Sequence, residues 1–175
     1  MKKKKFLKVL AAVIPVLAIG LVVYLFLNFQ KRREKAEALK YIPSFHLSTI
    51  DGNTFTQENL AHGQTKIIIY FSPGCHFCHA EAKELSKNKH TAKDIQWIWV
   101  ASEPLNEIKE FAVKYKLDQQ TDIFWCHDEM AILYQKLAIS SVPYFLIYDK
   151  KNHLIKRNPG AIKLDKLINS FDERK

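Results

Sequence analysis

A second C-x-x-C pair is missing from this 175-residue chain, and so is any H-x3–5-H run. With only Cys75, Cys78 and Cys126 to draw on, structural zinc would depend on scattered histidines as remaining ligands, so a zinc fold is disfavoured. A purely structural disulfide fits poorly too, because a C-x-x-C loop is so short that closing it removes little unfolded-state entropy. There is no internal repeat, and no low-complexity segment beyond the lysine-rich start. The folded part also lacks a basic patch. Residues 1–40 hold ten Lys/Arg and two Asp/Glu, whereas residues 41–175 hold seventeen and sixteen, so the formal charge of +9 belongs almost wholly to the N-terminal appendage. That balance argues against nucleic acid as a partner.

What the appendage does have is one long apolar run. Val9 to Leu27 is nineteen residues without a charge. As a helix it would be about 28 Å long, close to the roughly 30 Å of a bilayer's hydrocarbon layer. Its end, Val22-Val23-Tyr24-Leu25-Phe26-Leu27, is bulky rather than small, which favours an uncleaved anchor over a cleaved signal. No cysteine follows closely, so lipoprotein processing is not expected. Both flanks are basic, and the count of cations slightly favours the N-terminus inside and the domain outside. The expected organisation is a basic N-terminus (1–8), a transmembrane anchor (9–29), a polar juxtamembrane stalk (30–41) and one folded domain (42–175).

Within the domain, alternating residues around Asp51-Gly52 predict a β-hairpin. Lys66–Ser72 and Ile95–Ala101 are continuous apolar runs, as expected of strands buried on both faces. Helices are predicted over Ala80–Lys89, Pro104–Tyr115, Asp128–Leu137 and Leu164–Phe171. A short strand is predicted at Ile123–Cys126, and a second hairpin joins Tyr144–Tyr148 to His153–Lys156. Strands alternating with helices, then a closing hairpin and helix, imply an α/β fold with a central mixed sheet flanked by helices.

The chemistry concentrates at Cys75-His76-Phe77-Cys78, between the first buried strand and the following helix. The spacing lets two sulfurs meet within one helical turn. The helix N-terminus puts unpaired N–H groups and a partial positive charge beside the first sulfur, which favours the nucleophilic thiolate. A dithiol/disulfide redox pair is the leading reading. Val142-Pro143 opens a later strand, a position where a missing N–H costs the ladder nothing.

A C-x-x-C after a buried strand, followed later by an apolar-Pro dipeptide before another strand, resembles the thioredoxin fold. The match is closer to one branch. Pro43-Ser44-Phe45-His46-Leu47, Asp51-Gly52 and Phe55, with Phe71-Ser72-Pro73-Gly74-Cys75-His76-Phe77-Cys78-His79-Ala80-Glu81, resemble the TlpA/ResA-like redoxins over about residues 42–172. The resemblance implies a membrane-tethered thiol–disulfide oxidoreductase with no cofactor. Its single-pass helix would sit in a bacterial inner membrane, with the domain facing the periplasm or cell exterior. Cys75 takes the nucleophile position and Cys78 the resolving one. Glu81 takes the place of an acid that exchanges a proton with Cys78; the plainer alternative is a solvent-facing first-turn Glu. Pro143 should be cis. Gly74, His76, Phe77, Val142 and Pro143 should form the substrate-binding surface. The implied partners are a disulfide- or dithiol-containing protein, apocytochrome c among the candidates, and a redox partner that regenerates the pair.

The chain departs from the family pattern at three places. Gly74 replaces the aromatic residue that usually precedes the first cysteine, Ile69 a buried acid of thioredoxins, and Lys83 a helix-kinking proline. His76 and Phe77 are expected to tune the redox potential. Cys126 reads as a core thiol, with a second resolving thiol as the alternative. Three rival functions remain at this stage. One is a Sco-like copper chaperone using His79 or His127. Another is disulfide formation by the reverse reaction. Peroxidase chemistry is disfavoured, because Phe77 and Ala80 stand where that mechanism places Thr and Cys.

Overall fold

The computed structural model describes residues 17, 19–30, 39–88 and 94–172. The chain divides into two compact units, Met1–Leu39 and Lys40–Lys175. In the first, residues 19–30 form a helix (α1) on which Leu21 to Leu27 are all exposed apolar side chains. Of the span expected to cross a membrane, 9–29, residues 9–16 and 18 lie outside the described residues. Among the described residues, no helix is long and apolar enough to cross a membrane.

The second unit is built on seven strands: β1 (His46–Thr49), β2 (Thr54–Thr56), β3 (Thr65–Tyr70), β4 (Ile95–Ala101), β5 (Ile123–His127), β6 (Tyr144–Tyr148) and β7 (Leu154–Pro159). Their order across the sheet is β2-β1-β5-β4-β3-β6-β7. The central β5-β4-β3 set is parallel, and the hairpins on either side are antiparallel. Among the described residues of this unit there are four α-helices, α2 (His76–Asn88), α3 (Leu105–Lys114), α4 (Ile132–Lys136) and α5 (Leu164–Asp172), and one short 3-10 helix, Gln57–Asn59. This is the mixed, helix-flanked sheet that the alternation of elements implies. The Asp51-Gly52 turn closes β1 onto β2, with Gly52 at φ 80°, a conformation glycine adopts without a Cβ penalty.

Side chains alternate between the two faces of each strand. Ile67, Ile69, Trp97, Trp99, Trp125, Phe145 and Ile147 lie on the face that also receives Cys78, Ala82 and Leu85 of α2 and Ile108, Phe111 and Ala112 of α3. Phe71, the residue after β3, stands at the centre of this cluster. Its ring lies 4.9 Å from Phe111, 5.2 Å from Trp99 and 5.6 Å from Trp125. Aromatic pairs at such spacings add about 0.5–1.5 kcal/mol each beyond area burial. The cluster therefore fixes the point where the chain leaves the sheet, immediately before the cysteine loop.

Three elements differ from the sequence expectation. The helix after β3 begins at His76 rather than Ala80, so both inner residues and Cys78 are inside its first turn. The expected helix 128–137 is only Ile132–Lys136. Asp128 is tied to the sheet by its N–H to the Ala101 carbonyl (2.8 Å), while its carboxylate caps the Leu133 and Tyr134 N–H groups at 3.1 and 2.9 Å. A turn, Asp128–Ala131, fills the interval. The last strand extends to Pro159 instead of stopping at Lys156. It is a sheet edge, where proline is tolerated.

Candidate active site

The strand register brings the two sequence motifs together. Tyr70, the last residue of β3, pairs with Tyr144, the first of β6. The residues just beyond, Phe71-Ser72 on one strand and Val142-Pro143 on the other, are therefore neighbours. The Val142–Pro143 peptide is cis, and the Cys75 Sγ lies 3.6 Å from the Val142 carbonyl oxygen. The cysteine loop is closed by the Cys75 N–H donating to Ser72 O at 3.0 Å, and α2 starts with the His79 N–H donating to Cys75 O at 3.2 Å.

The two thiols differ sharply in access. Cys75 is half-buried, while Cys78 is 0% exposed and packs into the core cluster. Both are free thiols. Burial pushes the Cys78 thiol far above the usual range; a hydrogen bond with the Ser72 backbone opposes this, and the adjacent Cys75 and Glu81 reinforce it. His76 and Phe77 form an exposed rim, with Phe77 60% exposed and the two rings 5.9 Å apart.

Glu81 follows Cys78 by three residues on α2, so the two share a helix face. It is only 8% exposed. Its Oε1 accepts the Ile162 N–H at 2.8 Å. Burial raises its pKa to about 7; the Ile162 N–H pulls the other way, and the negative charge of Glu84 adds to the rise. A carboxyl group poised near neutrality beside a buried thiol is suited to proton transfer. The reading of Glu81 as a solvent-facing residue is thereby corrected: the side chain points inward.

Several partners in this arrangement carry no sequence signal. Glu84 accepts the Leu164 N–H at 3.0 Å and so caps α5 from a different helix. Ile162 acts through its backbone. The Gly160 N–H donates to the Pro143 carbonyl at 2.8 Å, which links the segment before α5 to the cis-proline strand. His79 Nδ1 lies 2.7 Å from the Tyr115 hydroxyl, and the ring also hydrogen-bonds the Pro73 backbone. Burial, and secondarily the Lys114 ammonium, hold His79 below the usual imidazole range.

The remaining candidates fall elsewhere. Cys126 is fully buried and pairs in register with Val100. By strand alternation it lies on the sheet face opposite Trp125 and Cys78, so it is no second resolving thiol. His127 lines a groove between β1 and α4, with Met130 and Ile132. Among the described residues, no three His, Cys, Asp or Glu side chains converge as a metal site.

The chain belongs to the thioredoxin-like domain family, whose model matches residues 52–175. No curated protein sequence matches it. Among solved structures it is similar to a secreted Mycobacterium tuberculosis disulfide oxidoreductase homologous to Escherichia coli DsbE. That match has a TM-score of 0.63 at 22% identity and covers 78% of this chain and 98% of the other. The structure of DsbF from the same bacterium matches with a TM-score of 0.64 at 20% identity, covering 78% and 96%. StoA from Bacillus subtilis matches with a TM-score of 0.58 at 18% identity, covering 75% and 98%. These likenesses establish the fold.

Proposed function

We propose that the protein is a membrane-tethered thiol–disulfide oxidoreductase that reduces disulfides of envelope proteins. The observation that carries this reading is the asymmetry of the pair: an accessible Cys75 beside the Val142 carbonyl, and a buried Cys78 one helical turn from the buried carboxyl of Glu81.

The reaction runs in two exchanges. Cys75, as thiolate, attacks one sulfur of a substrate disulfide. The Cys75–S bond forms, the substrate S–S bond breaks, and the departing sulfur takes a proton from water. The backbone at Val142 supplies an edge against which an extended substrate segment can pair. Cys78 then gives its proton to the Glu81 carboxylate and attacks Cys75 Sγ. The mixed disulfide breaks, and the second substrate sulfur leaves and recovers the proton. Two protein thiols become one disulfide, and one substrate disulfide becomes two thiols, a transfer of two electrons. A dithiol protein is required to return the pair to its reduced state.

The direction of electron flow is set by the potential of the Cys75–Cys78 couple. Strong oxidants on this scaffold owe their potential to a stabilised reduced form. Equilibration of the Cys75–Cys78 couple with glutathione buffers tests the direction. A potential at or below about −250 mV is expected; a value near about −120 mV, that of the strongest oxidants, would assign disulfide formation instead.

The tether is proposed from the uncharged Val9–Leu27 run and from the exposed apolar side chains Leu21 to Leu27, which suit a lipid environment. Placement of the domain outside the cytoplasm is supported by the flanking-charge count and by the secreted M. tuberculosis neighbour.

A further inference from the structure

Gly74, immediately before the accessible thiol, is required neither by its backbone nor by its packing. Its φ is outside the left-handed region, and a Cβ built on it would meet nothing nearer than Ser72 Oγ at 3.8 Å. What glycine provides here is space. A groove of about 370 Å³ opens beside it, between the cysteine loop and α3, with His79 and Phe111 among its lining residues. The volume suits one side chain of a bound polypeptide.

The charges on this groove are unequal. Glu107 and Glu110 line it from α3, both exposed and less than one turn apart. Neither carboxylate has a side-chain partner among the described residues. The one lysine of the groove, Lys114, has its Nζ 5.8 Å from the Tyr115 ring centroid, a cation–π contact with a residue of its own helix end. His79, half-buried, is hydrogen-bonded to Tyr115, and its imidazole is held below the usual range, so it adds no competing cation at neutral pH. Apolar and aromatic lining with unpaired carboxylates complements a long basic side chain, whose methylene stem lies on rings while its head reaches the charge.

We propose that this groove seats a Lys or Arg side chain flanking the substrate cysteine that Cys75 attacks, so that disulfides in basic surroundings are the preferred substrates. The inference rests on the exchange reaction proposed above and adds to it a class of substrate. Glu107 and Glu110 act at the rim, where charges set encounter rate and specificity more than chemistry.

The test uses the full-length, fully reduced chain in detergent and four short peptide disulfides that differ only in the residues flanking cysteine: Lys, Gln, Leu or Glu. Rates of Cys75–Cys78 oxidation are followed by stopped-flow fluorescence. The Lys peptide is expected to react about fivefold faster than the Gln peptide at low salt, the effect of two exposed ion pairs. The Glu peptide should be slowest, and the ratios should shrink as salt is raised. The Lys-to-Gln ratio should fall to about one in the double variant Glu107→Gln/Glu110→Gln, and also in Gly74→Trp, which fills the groove. Equal rates for all peptides, a preference for Leu or Glu, or a Lys preference that survives the double variant would overturn the proposal. Failure of every peptide, Gln included, to oxidise the pair would overturn the exchange reading along with it.

Discussion

Glu81 Oε1 accepts the backbone N–H of Ile162 at 2.8 Å while its side chain shares a helix face with Cys78. One contact therefore joins the proton acceptor proposed for the reaction to the segment that leads into α5. It also accounts for a carboxyl group that is buried yet retained in a largely apolar core: the N–H stabilises the charged form that burial penalises.

The first prediction concerns rate. If Glu81 takes the Cys78 proton, it does so as a carboxylate, so resolution of the mixed disulfide slows as pH falls through about 7. Glu81→Gln keeps an oxygen for the Ile162 N–H but has no basic form. It should resolve about 100-fold more slowly, the low end for a lost general base. Its rate should also lose the inflection near neutrality. Rapid-quench measurement of the mixed disulfide between pH 5.5 and 8.5 provides the check, and an inflection retained in the variant would assign the titration to another group.

The second concerns stability, and the sign is specific. The folded pKa of Glu81, about 7, lies above its ordinary value of 4.5. The folded state therefore holds this proton more tightly than the unfolded state does. The stability it contributes is fully present below about pH 4.5 and is lost as pH rises towards 7. The lost amount is at most about 3 kcal/mol. Glu81→Gln should thus gain on the wild type as pH rises from 5 to 8, when both are unfolded with urea in the oxidised state. A difference in unfolding free energy that stays constant with pH contradicts the assignment.

The third concerns Cys126. Its position on the far face of the sheet removes it from the exchange. Cys126→Ala should leave the rate of Cys75–Cys78 oxidation within about twofold of wild type, and the lost sulfur should cost roughly 1 kcal/mol through the small cavity it leaves. Thiol titration and denaturant unfolding of the variant measure both quantities. A rate loss much beyond twofold at unchanged stability would reinstate a redox role.

Much of this site was legible in the sequence because its parts obey local rules. The apolar run Ile67-Ile68-Ile69 marks a strand buried on both faces, and Cys75 and Cys78 follow at a spacing with few other uses. Val142-Pro143 stands where a strand begins. What escaped was tertiary. The start of α2 at His76 was hidden because neither Gly74 nor Cys75 is a side-chain cap of the usual kind. The shortness of α4 follows from Asp128 being bound to Ala101 on a neighbouring strand, a contact without sequence periodicity. Glu84 reads as a surface residue of an amphipathic helix, yet it caps α5, eighty residues away. Ile162 contributes only a backbone N–H, which every residue but proline carries. The direction in which Glu81 points was equally undetermined until α5 was in place.

The most direct test of the account is to trap the reaction halfway. The reduced full-length chain, with Cys78 or Cys75 replaced by serine, is mixed with a protein disulfide, and the adducts are resolved by non-reducing mass spectrometry. The account predicts that Cys78→Ser accumulates a one-to-one mixed disulfide through Cys75, and that Cys75→Ser accumulates none, because the remaining thiol at 78 is sealed in the core. Equal trapping by both variants, or trapping by Cys75→Ser alone, would contradict the division of labour between the two sulfurs on which the mechanism depends.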